Sequence, residues 1–232
     1  MAVSLAGMVD QGFRAGLRIG LSLAAPAFLL AITFGAIVRA QGWGILAPVV
    51  CSIVVFSGSA QFALVATLAG GGGIAPAIAS AALINARFLP MGVAVTGSLK
   101  GNRWRRAVEA QAVVDASWVA AHQGDGRFDR ELLIGSTIVQ WPAWVAGTIV
   151  GVLIAPPPDL TETLGLDVVF PAFFLLLLIE EVRGSRRAAL AAGIGAATAG
   201  ALLWLVPAGL ALLGSTVGAL TGLRPPSEEK PS

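Results

Sequence analysis

The sequence predicts an all-α integral membrane protein of about seven transmembrane helices (six to eight), some of them broken or re-entrant. Two observations carry this. Only 12% of the 232 residues are charged, against 56% hydrophobic and a mean hydropathy of +0.82, about half the charge of a soluble domain. Apolar runs of eighteen residues or more also recur along the length, which is the signature of several membrane spans.

The expected spans are 16–38, 43–69, 74–97, 107–123, 131–154, 168–182 and 187–223. Arg14 and Arg18 precede the first, which is too long for a signal peptide and is read as a retained helix. The second is interrupted by FSGSAQF at 56–62, and Gly70–Gly73 join it to the third. The fourth is weakly apolar and is not a convincing span in isolation. The last contains Pro207-Ala208-Gly209 and reads as two short helices. Residues 1–223 form one polytopic domain, and the polar tail 224–232 reads as disordered. Short echoes at an offset of about 115 (LRIG and LLIG, two VVF triplets, Pro26 and Pro142) suggest repeat halves 13–123 and 128–223.

The net charge of +2 arises from basic clusters between apolar runs. These follow the positive-inside rule and argue against nucleic-acid binding. With the N-terminus inside and every span crossing once, the cluster Lys100–Arg106 falls outside. The conflict disappears if the second span turns back at FSGSAQ and the fourth does not fully cross. Such irregular backbone needs protein or a cavity to shield it.

Polar residues within apolar segments are the functional candidates. Arg87 stands in the third span, where a guanidinium costs at least a few kcal/mol and stays charged. Asp115, in the fourth, is the only acid deep in an apolar segment. The two form either a structural ion pair or a substrate site, with Arg87 on a carboxylate and Asp115 as ammonium partner or proton carrier. His122 lies seven residues after Asp115 and is either a proton relay or an interfacial residue. Trp118 either lines a pocket or packs, and the other tryptophans fit an interfacial belt. Ser57, Gly58 and Ser59 suit either a small-residue helix contact or an unwound turn. Such a turn opens a half-helix whose free N–H groups and hydroxyls take a carboxylate, with Gln61 adding a donor and an acceptor. Cys51 reads as a small buried hydrophobe.

The order FSGSAQF, NARFLPMG and DASW resembles the AzlC family of bacterial branched-chain amino acid exporters, and the likeness extends from about residue 13 to about 222. The resemblance implies a multi-pass protein of the bacterial inner membrane that works with a small AzlD-like membrane subunit. By position, it implies functional roles for Ser57, Gly58, Ser59, Gln61, Asn85, Arg87 and Asp115. Phe88 stands where many members have His, and Ala116 replaces an acid, which removes two groups otherwise available for proton coupling.

The resulting expectation is a secondary transporter exporting branched-chain or related small amino acids by alternating access, driven by protons, without cofactor or metal. Its proton path would use Asp115 and His122. A channel or a non-transporting membrane subunit is the alternative. An intramembrane hydrolase with Ser57 or Ser59 as nucleophile has only His122 to serve as base.

Overall fold

The computed structural model describes residues 5–124, 126–155 and 182–206, with single positions between 172 and 179 and between 210 and 218. The proline loop at 156–158, Glu180 and Glu181, Pro207–Gly209, the tail 224–232 and most of the expected span 168–182 lie outside the described residues. The chain divides into two compact units, one of Met1–Gln61 with Ala82–Thr161 and one of Phe62–Ala81 with Glu162–Ser232.

The first unit is organised by two long helices, α1 (Leu5–Ala40) and α8 (Arg130–Ile154). Both are apolar and long enough to cross a membrane. Each tolerates an internal proline, Pro26 and Pro142. They pack in parallel through glycine faces. A Cβ at Gly16 would lie 2.6 Å from the Leu132 carbonyl oxygen, and one at Gly20 would lie 2.5 Å from that of Ser136. One at Gly35 would strike the Thr148 carbonyl, and one at Gly151 the Ile32 carbonyl. The backbones approach so closely because these positions carry no side chain, the small-residue logic of membrane helix pairs.

The second expected span is divided. Gly42 and Gly44, both at positive φ, end the turn after α1 and lead into α2 (Leu46–Val54). The helix stops at Val55, and α3 (Gly58–Ala69) starts after Ser57. Gln61 reaches back to Ser52, with Nε2 3.1 Å from Oγ. In one straight helix those residues would be about 13 Å apart along the axis, so the chain bends sharply at 55–57.

The third segment carries α4 (Ile74–Asn85) and α5 (Phe88–Val95), together long and apolar enough for one crossing. The seam between them has a local cause. Pro90 has no N–H to give the Ala86 carbonyl, which instead accepts from Leu89 N at 3.1 Å. Arg87 sits at that seam.

Residues 107–123 do not form one helix. An amphipathic α6 (Arg103–Ala110) is followed by a loop at 111–114 and the short α7 (Asp115–Ala121). The Ala112 carbonyl at the loop accepts from Ser117 Oγ at 2.5 Å and from Thr137 Oγ1 at 2.8 Å. A small antiparallel hairpin follows, β1 (His122–Gly124) with β2 (Arg127–Phe128), a departure from the purely helical expectation. Val95, Ala112, Val113, Ala121, Phe128 and Leu133 form the buried core here.

The Lys100–Arg106 cluster meets the start of α8. Glu109, buried on α6, takes Arg130 in a bidentate pair and Arg105 at 3.1 Å. Asp129, which caps α8 through Glu131 N and Leu132 N, stands beside Gly12 of α1. The basic loop and the first turns of both long helices therefore share one end of the unit.

In the second unit, the Gly70–Gly73 connection is a tight turn, with Gly71 and Gly73 at φ +75° and +76°. Across it the Thr67 and Ser80 hydroxyls meet at 2.8 Å. Helix α9 (Arg186–Leu202), capped by Ser185, passes so near Ser215 that a Cβ at Gly195 would lie 2.9 Å from its carbonyl oxygen.

Candidate functional site

Three backbone irregularities converge in the first unit: the α2–α3 break, the α4–α5 seam and the 111–114 loop. Arg87 joins them. Its Nε donates to Asp115 Oδ1 at 2.9 Å and one terminal nitrogen to Oδ2 at 2.6 Å. That same nitrogen donates to Ser59 Oγ at 2.8 Å, and the other donates to the Ile84 carbonyl at 3.2 Å. The fork lies 4.8 Å from the centre of the Phe88 ring. Arg87 thus lies against a neutral aromatic ring at the position where the family resemblance leads one to expect histidine.

The pair is not sealed in a core: the Arg87 and Asp115 side chains are 37% and 59% exposed. A buried structural bridge would be hidden, and lipid is a poor neighbour for either charge. The open side of this pair therefore suits water, a ligand or another polypeptide. Asp115 occupies the first turn of α7, where the helix dipole favours a negative charge.

Ser57 immediately precedes α3, its carbonyl accepting from Gln61 N at 3.0 Å. Its buried hydroxyl stands 3.5 Å from Ser59 Oγ. Gly58 is not at positive φ. It is small because the indole of Trp144 presses on it, and an added Cβ would lie 2.6 Å from Cη2. Of the two sequence readings of this glycine, a small-residue contact and a source of backbone freedom, its own geometry is that of close approach.

Gln61 is 1% exposed and its amide is fully engaged. Trp144 Nε1 donates to Gln61 Oε1 at 2.8 Å, and Gln61 Nε2 donates to Ser52 Oγ at 3.1 Å. Ser52 and Thr148 hydroxyls meet at 2.8 Å, and Thr148 Oγ1 donates to the Trp144 carbonyl at 3.0 Å. This closed ring ties the broken span to α8. Trp144, assigned to an interfacial belt from sequence, is instead a buried member of that ring.

Asn85 lies half a turn before Arg87, with Oδ1 buried and without a partner among the described residues, which costs about 1–3 kcal/mol if left unmet. It lines a cavity of 290 Å³ together with Ser57, Phe88, Gln111 and Val114. Trp118 and His122 are placed elsewhere. Trp118 packs against Phe128 and His122, with ring centres 5.1 and 5.9 Å away. His122 has extended backbone beyond the end of α7, so the helical spacing that put it on the face of Asp115 does not apply. Among the described residues, no hydrogen-bond chain links His122 to Asp115.

Sequence reasoning missed Ser52, Trp144, Thr148 and the Gly16–Gly20 and Gly147–Gly151 pairs. The glycines had a signal in their four-residue spacing. The ring had none, since its members are up to 96 residues apart.

The AzlC protein family model matches residues 22–156. The chain is 26% identical over 230 residues to the branched-chain amino acid transport protein AzlC of Bacillus subtilis, covering 94% of this chain and 87% of that protein. It is 24% identical to the inner membrane protein YgaZ of Escherichia coli, over 91% and 89% of the two chains. An uncharacterized membrane protein of Archaeoglobus fulgidus is 27% identical, over 85% and 89%. No solved structure matches. The matched segment runs from the middle of α1 to the end of α8 and so contains the breaks and the Arg87–Asp115 pair. A family model that takes in more than half of the chain places this membrane protein in the AzlC family.

Proposed function

We propose that this protein moves small amino acids, branched-chain ones or close analogues, across the bacterial inner membrane. The observation that carries the reading is the half-open Arg87–Asp115 pair where the broken segments meet. A zwitterion presents one carboxylate and one ammonium, and this pair offers the complementary charges a few ångströms apart. The α3 N-terminus, Ser57 and Ser59 stand beside Arg87 and suit a carboxylate. The name of the Bacillus relative supports the amino-acid class.

In this reading transport is outward and coupled to proton entry, and Asp115 carries the proton. Access alternates between the two faces as the broken segments rearrange around the pair. Neither His122 nor Trp118 touches substrate. A small hydrophobic membrane subunit completes the transporter.

Efflux of labelled leucine from loaded proteoliposomes, with and without a co-expressed small subunit, tests the reading. Arg87→Ala is expected to lower efflux at least tenfold while the protein remains monodisperse. Unchanged efflux would remove Arg87 from the site. Conductive, non-saturating flux would replace the carrier with a pore.

A further inference from the structure

Two cavities of the first unit share a wall. The 290 Å³ cavity beside the Arg87–Asp115 pair is reached by Ser57 and Asn85. A second, of 370 Å³, lies between α2, α6 and α8, and its walls include Ile53, Ile134, Ile138 and Trp141. Val54, Phe56 and Gln111 line both. Sizes of this order are usual for small-molecule sites, roughly 300–1,000 Å³.

The two spaces differ in chemistry. The first holds the unpartnered Asn85 Oδ1. Gln111, exposed at the loop between α6 and α7, has no side-chain hydrogen bond among the described residues and stands at the junction, where a ligand in either cavity can reach it. Among the described residues, the second is walled by aliphatic and aromatic side chains with Gln111 and Thr137, and the Thr137 hydroxyl is taken by the Ala112 carbonyl. A buried amide oxygen without a partner, as at Asn85, is costly unless something hydrogen-bonds to it. An ammonium is a fitting occupant, since it carries donors only.

Building on the transport reading above, we infer that a bound amino acid lies across both cavities. Its ammonium sits in the first, donating to Asn85 Oδ1 and Gln111 Oε1. Its aliphatic side chain enters the second between Phe56, Ile138 and Trp141. Gln111 thereby becomes a substrate-contacting residue, and Ile138 and Trp141 set the side-chain size that is accepted. The carboxylate faces the wall of the first cavity formed by Phe88 and Val114, next to the charged pair in the chain.

The test compares leucine and alanine flux in proteoliposomes of the full chain. Ile138 is half exposed, so Ile138→Trp fills the second cavity without rebuilding a core. It is expected to lower the leucine-to-alanine ratio about tenfold, the scale set by fitting or excluding methylenes. Val108→Trp, from the facing wall, should act in the same direction. Gln111→Leu is expected to raise KM for both amino acids about three- to tenfold with kcat nearly kept, the loss of one ground-state hydrogen bond. Unchanged ratios in both tryptophan variants, as a lipid chain in the second cavity would give, overturn the side-chain placement. An unchanged KM in Gln111→Leu overturns the ammonium placement. Wild-type protein that moves neither amino acid fails the transport reading itself, an outcome distinct from those two.

Discussion

At the scale of single residues, the sequence pointed to Arg87 and Asp115 because a charge in an apolar run has few places to go. The structure brings them into contact, which both readings of the pair allow, and adds Ser59 as a third member. Gln61 was legible as a residue that needs partners, but its partners were not. An indole from α8 supplies one of them, 83 residues away, and no local pattern announces such a pairing. Gln61→Leu would strand the Trp144 N–H and is expected to cost about 1–3 kcal/mol, read as lower thermal stability in detergent. Gly58→Ala would push a methyl against the Trp144 ring. It should lower thermal stability, and adding Trp144→Phe should not restore it, because phenylalanine makes room for the methyl but cannot replace the indole donor to Gln61.

Among the elements, the break at FSGSAQF was readable because serines and a glycine interrupt β-branched apolar residues. The seam at Arg87 was not foreseen, although Pro90 three residues on was its cause. The fourth segment looked too polar to cross, and α6 with α7 and the loop between them account for that. Helices α1 and α8, which carry part of the 115-residue echo, lie parallel, with Gly35 against Thr148 and Gly151 against Ile32; a contact between two helices is not a repeat symmetry, and the repeat halves stay a reading of the sequence. The rest of the second half lies largely outside the described residues. Gly151→Val would drive a side chain into the Ile32 backbone and is expected to destabilise the α1–α8 pair by about 1–3 kcal/mol or more. Hydrogen exchange of α1 and α8 checks it, with both helices expected to lose protection together.

For the molecule as a membrane protein, parallel α1 and α8 require an odd number of crossings between the end of one and the start of the other. The Lys100–Arg106 cluster then shares a side with Arg14 and Arg18, and the charge rule is kept. In a Cys51→Ala background, Asn102→Cys is expected to react with a membrane-impermeant maleimide from the cytoplasmic side only. The same end carries an acid-sensitive lock. Hydrogen bonding from Arg130, aided by Lys100 N and Arg105, holds the Glu109 carboxyl down to about 2 from 4.5. Glu109 lies outside the three span candidates. Its contribution is complete above about pH 4.5 and is lost as pH falls from there towards 2. Thermal stability measured against pH should show that decline in the wild type and a shallower one in Glu109→Gln.

The guanidinium at the meeting of the breaks has one planar fork, and in this structure Asp115 fills it. A fork holds a single carboxylate in that geometry. If Arg87 is the ligand for an amino-acid carboxylate, substrate and Asp115 are rivals for one seat. Substrate can then reach Arg87 only as Asp115 leaves it, so binding must open the contact that ties the α4–α5 seam to α7. Exchange of occupants at one arginine would thus be enough to couple substrate binding to a rearrangement of the broken segments.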